Sequence, residues 1–144
     1  MLPDGKFFEV EEFRCRSGEC YPIQYEYPWE SLIALCDAVR DEWGSPLVVV
    51  SGYRTPKYNA ELIKADAAKG VHGIASGSQH TFGRAADLRP TTGTVEDLHL
   101  QILHLHELGG LPMLGGLGIY PESKWCHVDT YLLPDKHLRL WTGM

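Results

Sequence analysis

The sequence predicts an α+β fold: a small antiparallel sheet packed against about three helices. Two observations carry the prediction. Segments with helical apolar spacing dominate the first half and recur near residue 100, whereas short strand candidates cluster between residues 115 and 141. Helices and strands that segregate in this way, without regular βαβ alternation, are the α+β pattern. The chain has 144 residues, 44% hydrophobic and 22% charged. Those figures suit one soluble domain, 1–144, with a core of its own.

Residues 1–27, rich in Glu, Tyr and Pro, read as an irregular lead-in. From Pro28 to Trp43, apolar residues at Trp29, Leu32, Ile33, Cys36, Val39 and Trp43 make a one-faced amphipathic helix. Gly44 and Pro46 end it. Leu47 to Val50 is a β-branched run, read as a buried strand. Tyr58 to Lys69 is read as a second helix, stopped by Gly70, and 70–83 as a glycine-bearing loop. Ala85 to Leu88 reads as a strand ended by Pro90. Thr94-Val-Glu-Asp97 has the form of a capping box with Asp in place of Glu. It opens a helix to about Leu108, with Leu98, Ile102 and Leu105 inward. Gly115–Tyr120, Trp125–Tyr131 and Leu138–Trp141 are the late strands.

Thirteen Lys and Arg stand against nineteen Asp and Glu, a net charge of −6. This argues against a nucleic-acid partner, whose binding rests on neutralised phosphates. The longest apolar runs, Leu32–Cys36 and Leu47–Val50, fall far short of the roughly 20 residues that cross a bilayer, so no membrane partner is expected. Met1 to Glu12 lacks a basic region followed by an apolar stretch, so no signal peptide is expected either. Four cysteines are too few for a disulfide scaffold. Cys15 and Cys20 could form a disulfide or half of a zinc site, and Cys36 lies on the apolar stripe of its helix.

The seven histidines separate by spacing. His104 and His106 diverge by about 200° around a helix, and His99 and His106 stand roughly 10 Å apart along it. Neither pair can chelate one ion, so these are read as surface residues, as are His72 and His137 in polar loops. His80 and His127 differ. His80 lies in Ser78-Gln-His-Thr-Phe-Gly-Arg-Ala-Ala-Asp87, a pattern SxHxxGxAxD. On a continuous strand His80 and Asp87 would face opposite ways. A turn at Gly83 lets them converge. In Trp125-Cys-His-Val-Asp-Thr130, strand alternation puts His127 and Asp129 on one face and Cys126 and Val128 on the other. That alternation also weakens a Cys126/His127 thiol hydrolase. Two histidines with one aspartate make a three-ligand set that leaves a position open, as in catalytic zinc sites. The competing reading is a turn-capping Asp87 beside a loop-bonded His80, and a surface-facing His127/Asp129 pair on an edge strand.

SxHxxGxAxD followed by a late His-x-Asp strand resembles the zinc D-Ala-D-Ala carboxypeptidase family of peptidoglycan peptidases. The wider group takes in the lysostaphin-type peptidases and the Hedgehog signalling domain. Ser51-Gly-Tyr-Arg-Thr-Pro56, Gly115-Gly-Leu-Gly-Ile-Tyr-Pro121 and Leu138-Arg-Leu-Trp141 match as well, so the likeness runs over residues 28–142. It is closest to short, single-domain, endolysin-like members, many of them phage-encoded. The resemblance implies a zinc metallopeptidase that acts as a D,D-carboxypeptidase or endopeptidase on peptidoglycan stem peptides, with one zinc per chain. It implies His80, Asp87 and His127 as the zinc ligands, Arg54 as the arginine facing the substrate, and Ser78 as support for site or substrate. Some members carry a histidine two residues before the last ligand, where this chain has Trp125; others carry an acid three before it, where this chain has Lys124. Glu122 and Asp129 remain as carboxylates for the general base, with Glu122 favoured as base and Asp129 as the residue that orients a ligand histidine. Glu122-Ser-Lys is similar to a Glu-Ser-Lys in the Hedgehog domain. The alternative is a zinc-containing cell-wall-binding module without catalysis. The expected form is a monomer made in the cytoplasm that reaches the wall after lysis, in a phage particle or by dedicated export.

Overall fold

The computed structural model describes residues 3–18, 26–71, 74 and 77–144. The helices are α1 (Glu26–Trp43), α2 (Pro56–Ala68) and α3 (Val95–Glu107); the strands are β1 (Leu47–Ser51), β2 (Ala85–Pro90), β3 (Gly116–Tyr120), β4 (Trp125–Asp129) and β5 (Arg139–Thr142). Short 3-10 turns occupy Val10–Phe13 and Gln79–Phe82. The expected α+β class holds.

The five strands form one sheet in the order β1-β2-β4-β3-β5. Pairings β1–β2, β2–β4 and β3–β4 are antiparallel. The expectation of an antiparallel sheet fails at one edge, where β5 runs parallel to β3. The chain leaves β4, passes β3 and returns on its far side, and a local strand pattern holds no sign of that choice. β1 is the opposite edge. It was expected to be buried, yet Val48 is 45% exposed between buried Leu47 and Val49, because the apolar core lies on one sheet face only.

That core face carries Ala86, Leu88, Leu117, Cys126 and Val128, all fully buried. Against them pack Trp29, Leu32, Leu35, Cys36 and Val39 of α1 and Leu98 and Ile102 of α3. α1 begins at Glu26, ahead of the expected Pro28. α2 begins at Pro56, where Thr55 Oγ1 accepts the N–H of Tyr58 and proline takes an early position that needs no donor. Residues 3–18 are irregular apart from their 3-10 turn, but they are packed. Phe8, Phe13 and Cys15 are buried, and Tyr53 N–H donates to the Phe13 carbonyl at 2.7 Å. Cys15 is a free thiol that accepts the Thr55 N–H at 3.4 Å. Cys20 and His72 lie outside the described residues. No described helix is long and apolar enough to cross a membrane.

Candidate metal centre

The face of the sheet opposite the core gathers the polar residues. Asp87 on β2 sits directly across from His127 on β4, and Ala85 across from Asp129. His80 arrives from the 3-10 turn before β2. Ser78 caps that turn, its hydroxyl accepting the His80 N–H at 3.3 Å. Gly83 closes it at φ 71°, a left-handed conformation that a side chain resists. The turn reverses the odd spacing between His80 and Asp87 and lets them meet.

Ligand atoms of His80, Asp87 and His127 lie within 4.8 Å of one another. His80 Nε2 and His127 Nδ1 each stand 3.3 Å from Asp87 Oδ1, and the three side chains are 3%, 9% and 5% exposed for His80, His127 and Asp87. Donors at ~2.1 Å around a tetrahedral ion are separated by about 3.4 Å. Both histidine tautomers are set by partners that only accept. His80 Nδ1 donates to the Gly52 carbonyl at 2.7 Å, and His127 Nε2 donates to Asp129 Oδ2 at 2.8 Å. In the neutral rings the remaining nitrogen of each keeps its lone pair and faces Asp87. Two imidazoles and a carboxylate, turned to one point, fit a zinc-like ion.

The electrostatics agree with a cluster built for a cation. Burial pushes Asp87 up, but the His80 and His127 rings outweigh it and hold the carboxyl well below the usual range. Burial pushes His80 down, more strongly than Asp87 raises it. Burial also lowers His127, but hydrogen bonds and charge from Asp129 and Asp87 prevail and push it up to about 9. Asp129 is lowered, against its burial, by His127, Arg139 and the Tyr131 N–H.

Asp129 is fully buried and each of its oxygens accepts a hydrogen bond. Oδ2 accepts from His127, and Oδ1 accepts from Arg139 and from the Tyr131 N–H at 3.0 Å. Arg54 lies beside the ligands. Its Nε donates to Ser51 Oγ at 3.0 Å, Nη1 to Asn59 Oδ1 at 3.2 Å, and Nη2 pairs with Asp87 Oδ2 at 3.5 Å; the side chain is 13% exposed. Glu122 is exposed in the β3–β4 turn, beyond the end pair Tyr120 and Trp125 and so away from the His127–Gly118 pair. Cys126 points into the core, where burial pushes its thiol up to about 12, so it is no nucleophile.

Two neighbours escaped the sequence reading. Arg139 holds Asp129, and the Trp141 ring lies 4.9 Å from that of His127 while its Nε1 donates to Tyr120 Oη at 2.8 Å. Both come from β5. The signal that could have found them is Gly116-Leu-Gly118. Glycines two apart on a strand bare one face, and a Cβ at Gly116 would collide with the Asp129 carboxylate and the Arg139 guanidinium, one at Gly118 with the Trp141 ring. Of the other histidines, His104 and His137 are exposed and His99 and His106 half-buried.

A buried three-donor cluster on the polar face of such a sheet could hold a metal ion. The chain belongs to the peptidase M15 family, whose profile matches residues 6–129. Peptidoglycan L,D-endopeptidase MepK of Escherichia coli K12 is 31% identical over 85 residues, 59% of this chain and 40% of that protein. MepK of Shigella flexneri matches with the same figures. The chain therefore spans about 40% of the length of these relatives. Among solved structures, VanYB in complex with D-alanine-D-alanine is 18% identical, covering 91% of this chain and 86% of the other, at a TM-score of 0.44. A variant of the vancomycin-resistance D,D-pentapeptidase VanY in complex with Zn(II) is 19% identical, covering 91% and 87%, at a TM-score of 0.40.

Proposed function

We propose that this chain is a zinc-dependent peptidase that hydrolyses peptide bonds in peptidoglycan stem peptides, with one zinc held by His80, Asp87 and His127. The observation that carries the reading is the convergence of these three buried donors, with tautomers set by Gly52 and Asp129, in a chain of the M15 family. The named activity of the MepK relatives supports peptidoglycan as the substrate class. Zinc, when bound, supplies a Lewis acid for the scissile carbonyl and lowers the pKa of a water toward ~7.

The residues around the ligands have separate tasks. Asp129 keeps the His127 ring turned and its Nε2 protonated. Arg54 fixes Asp87 through Oδ2. Three of its five N–H groups are engaged by Ser51, Asn59 and Asp87, and the other two face the substrate's terminal carboxylate or developing oxyanion. Ser78 supports the turn that carries His80. Three of the roughly four acceptor sites of buried Asp129 are engaged, which suits it to orienting His127. Glu122 is the proposed base, its long side chain swinging in from the exposed β3–β4 turn to take the proton of the attacking water and return it to the leaving amine.

The test is mass spectrometry of purified muropeptides after incubation with the protein. Products shortened at a peptide bond, lost on chelation and restored by zinc, are expected. The products also tell a carboxypeptidase, which releases one terminal residue, from an endopeptidase. Muropeptides bound but uncut by a zinc-loaded protein would mean a cell-wall-binding module instead.

A further inference from the structure

We propose that Arg84 is a preformed anchor for a carboxylate of the peptide substrate outside the bond that is cut; the inference rests on the peptidase reading above. Arg84 Nε donates to Gln79 Oε1 at 2.6 Å. Its guanidinium carbon lies 4.8 Å from the ring centre of Phe82 and 4.8 Å from that of Tyr131, one ring to each partner contact. Among the described residues, Nη1 and Nη2 have no hydrogen-bond or ion-pair partner. Both flanking rings are large and exposed, Phe82 by 42% and Tyr131 by 39%.

This is an unusual state for an arginine in a chain of net charge −6. Nineteen acids are available, yet none neutralises Arg84 among the described residues. A guanidinium tethered at Nε and stacked on two rings has already given up much of its rotamer freedom, so a ligand meets a smaller ordering cost. Its open edge is a two-nitrogen fork, the geometry that binds a carboxylate bidentately. Arg54 is the opposite case, with all three of its nitrogens engaged by protein.

The anchor stands at the rim of the metal centre. Arg84 precedes Asp87 by three residues, at most about 10 Å of chain. Its carbonyl accepts the Thr130 N–H at 3.0 Å, next to Asp129. Tyr131 also packs on Arg139, 5.2 Å from ring centre to guanidinium, and Arg139 holds Asp129. An extended peptide advances ~3.3 Å per residue, so a carboxylate at Arg84 belongs within about three residues of the bond over the ligands.

The experiment compares two probes: a stem peptide with free carboxylates, and the same peptide with its non-terminal carboxylates amidated. Binding is measured by calorimetry and cleavage by mass spectrometry, for the wild type, Arg84→Gln and Arg84→Lys. The wild type is expected to bind the free-acid peptide roughly tenfold tighter. Arg84→Gln erases the preference, Arg84→Lys keeps part of it, and zinc content stays unchanged in both. A wild type without the preference, or an Arg84→Gln that keeps it, overturns the anchor. Preference without cleavage leaves the anchor standing and removes the peptidase reading; cleavage without preference does the reverse. Neither binding nor cleavage overturns both.

Discussion

Two regions of this molecule are rich in histidine, and they are built differently. Helix α3 carries His99, His104 and His106 within about two turns, yet among the described residues no carboxylate pairs with them, and they share no common focus. His106 Nδ1 is buried without a hydrogen-bond partner among the described residues. Among the described residues the polar sheet face gathers two histidines, His80 and His127, brought from a turn and a strand far apart in sequence. Each has one ring nitrogen occupied by an acceptor and the other aimed at Asp87. Convergence of different elements, with a carboxylate at the focus and an acceptor behind each ring, gives the geometry a metal ion needs, and density along one helix does not.

Breaking the sheet cluster should therefore have the largest effect. Asp87→Ala should reduce muropeptide hydrolysis to background, whereas Gln at all three α3 histidines should leave it within about twofold; equal losses would erase the distinction between the regions. Glu122→Gln should keep zinc content and lower turnover by roughly 100-fold, read as initial rates on a purified stem peptide. Full activity in that variant would return the base role to Asp129. Asp129→Asn should weaken zinc binding ~10-fold or more, and Arg139→Ala should do so in the same direction by less, because it acts through Asp129. Chelator competition measures both, and unchanged affinity in Asp129→Asn would mean that its hydrogen bond to His127 does not matter to the metal.

A finer contrast concerns protons. In the metal-free chain His127 is raised from an ordinary value near ~6.5 to about 9, so at pH 7 it is protonated. That proton's stabilising contribution is complete below ~6.5 and fades as pH rises through about 9. A metal needs the neutral ring, so its uptake at pH 7 releases a proton and tightens as pH rises. Zinc titrations in two buffers of different ionisation enthalpy should give different heats; identical heats would contradict it. The smallest expected effect is His104→Ala, exposed on α3, which should change stability by no more than ~0.5 kcal/mol.

What the sequence made legible was local. Helix stripes and strand runs placed all three helices and five strands, since periodicity reports which face meets the core. The convergence of His80, Asp87 and His127 was readable because the Gly83 turn and the His127/Asp129 alternation dictate direction over a few residues. The rest depends on long-range placement. The parallel pairing of β5 with β3 put Arg139 and Trp141 against Asp129 and His127, although Gly116-Leu-Gly118 carried a faint trace of it. Val48 reads as part of a buried run, but it faces away from the core because that core occupies one sheet face only. Arg84 became distinctive only when Tyr131, 47 positions away, closed over it.

The most direct test of the central claim, that the sheet cluster is the metal centre, is elemental analysis of the purified protein beside its Asp87→Ala variant and the triple α3 histidine variant. One zinc per chain is expected in the wild type and in the α3 variant, and loss of most of it in Asp87→Ala. Unchanged zinc in a folded Asp87→Ala protein would contradict it.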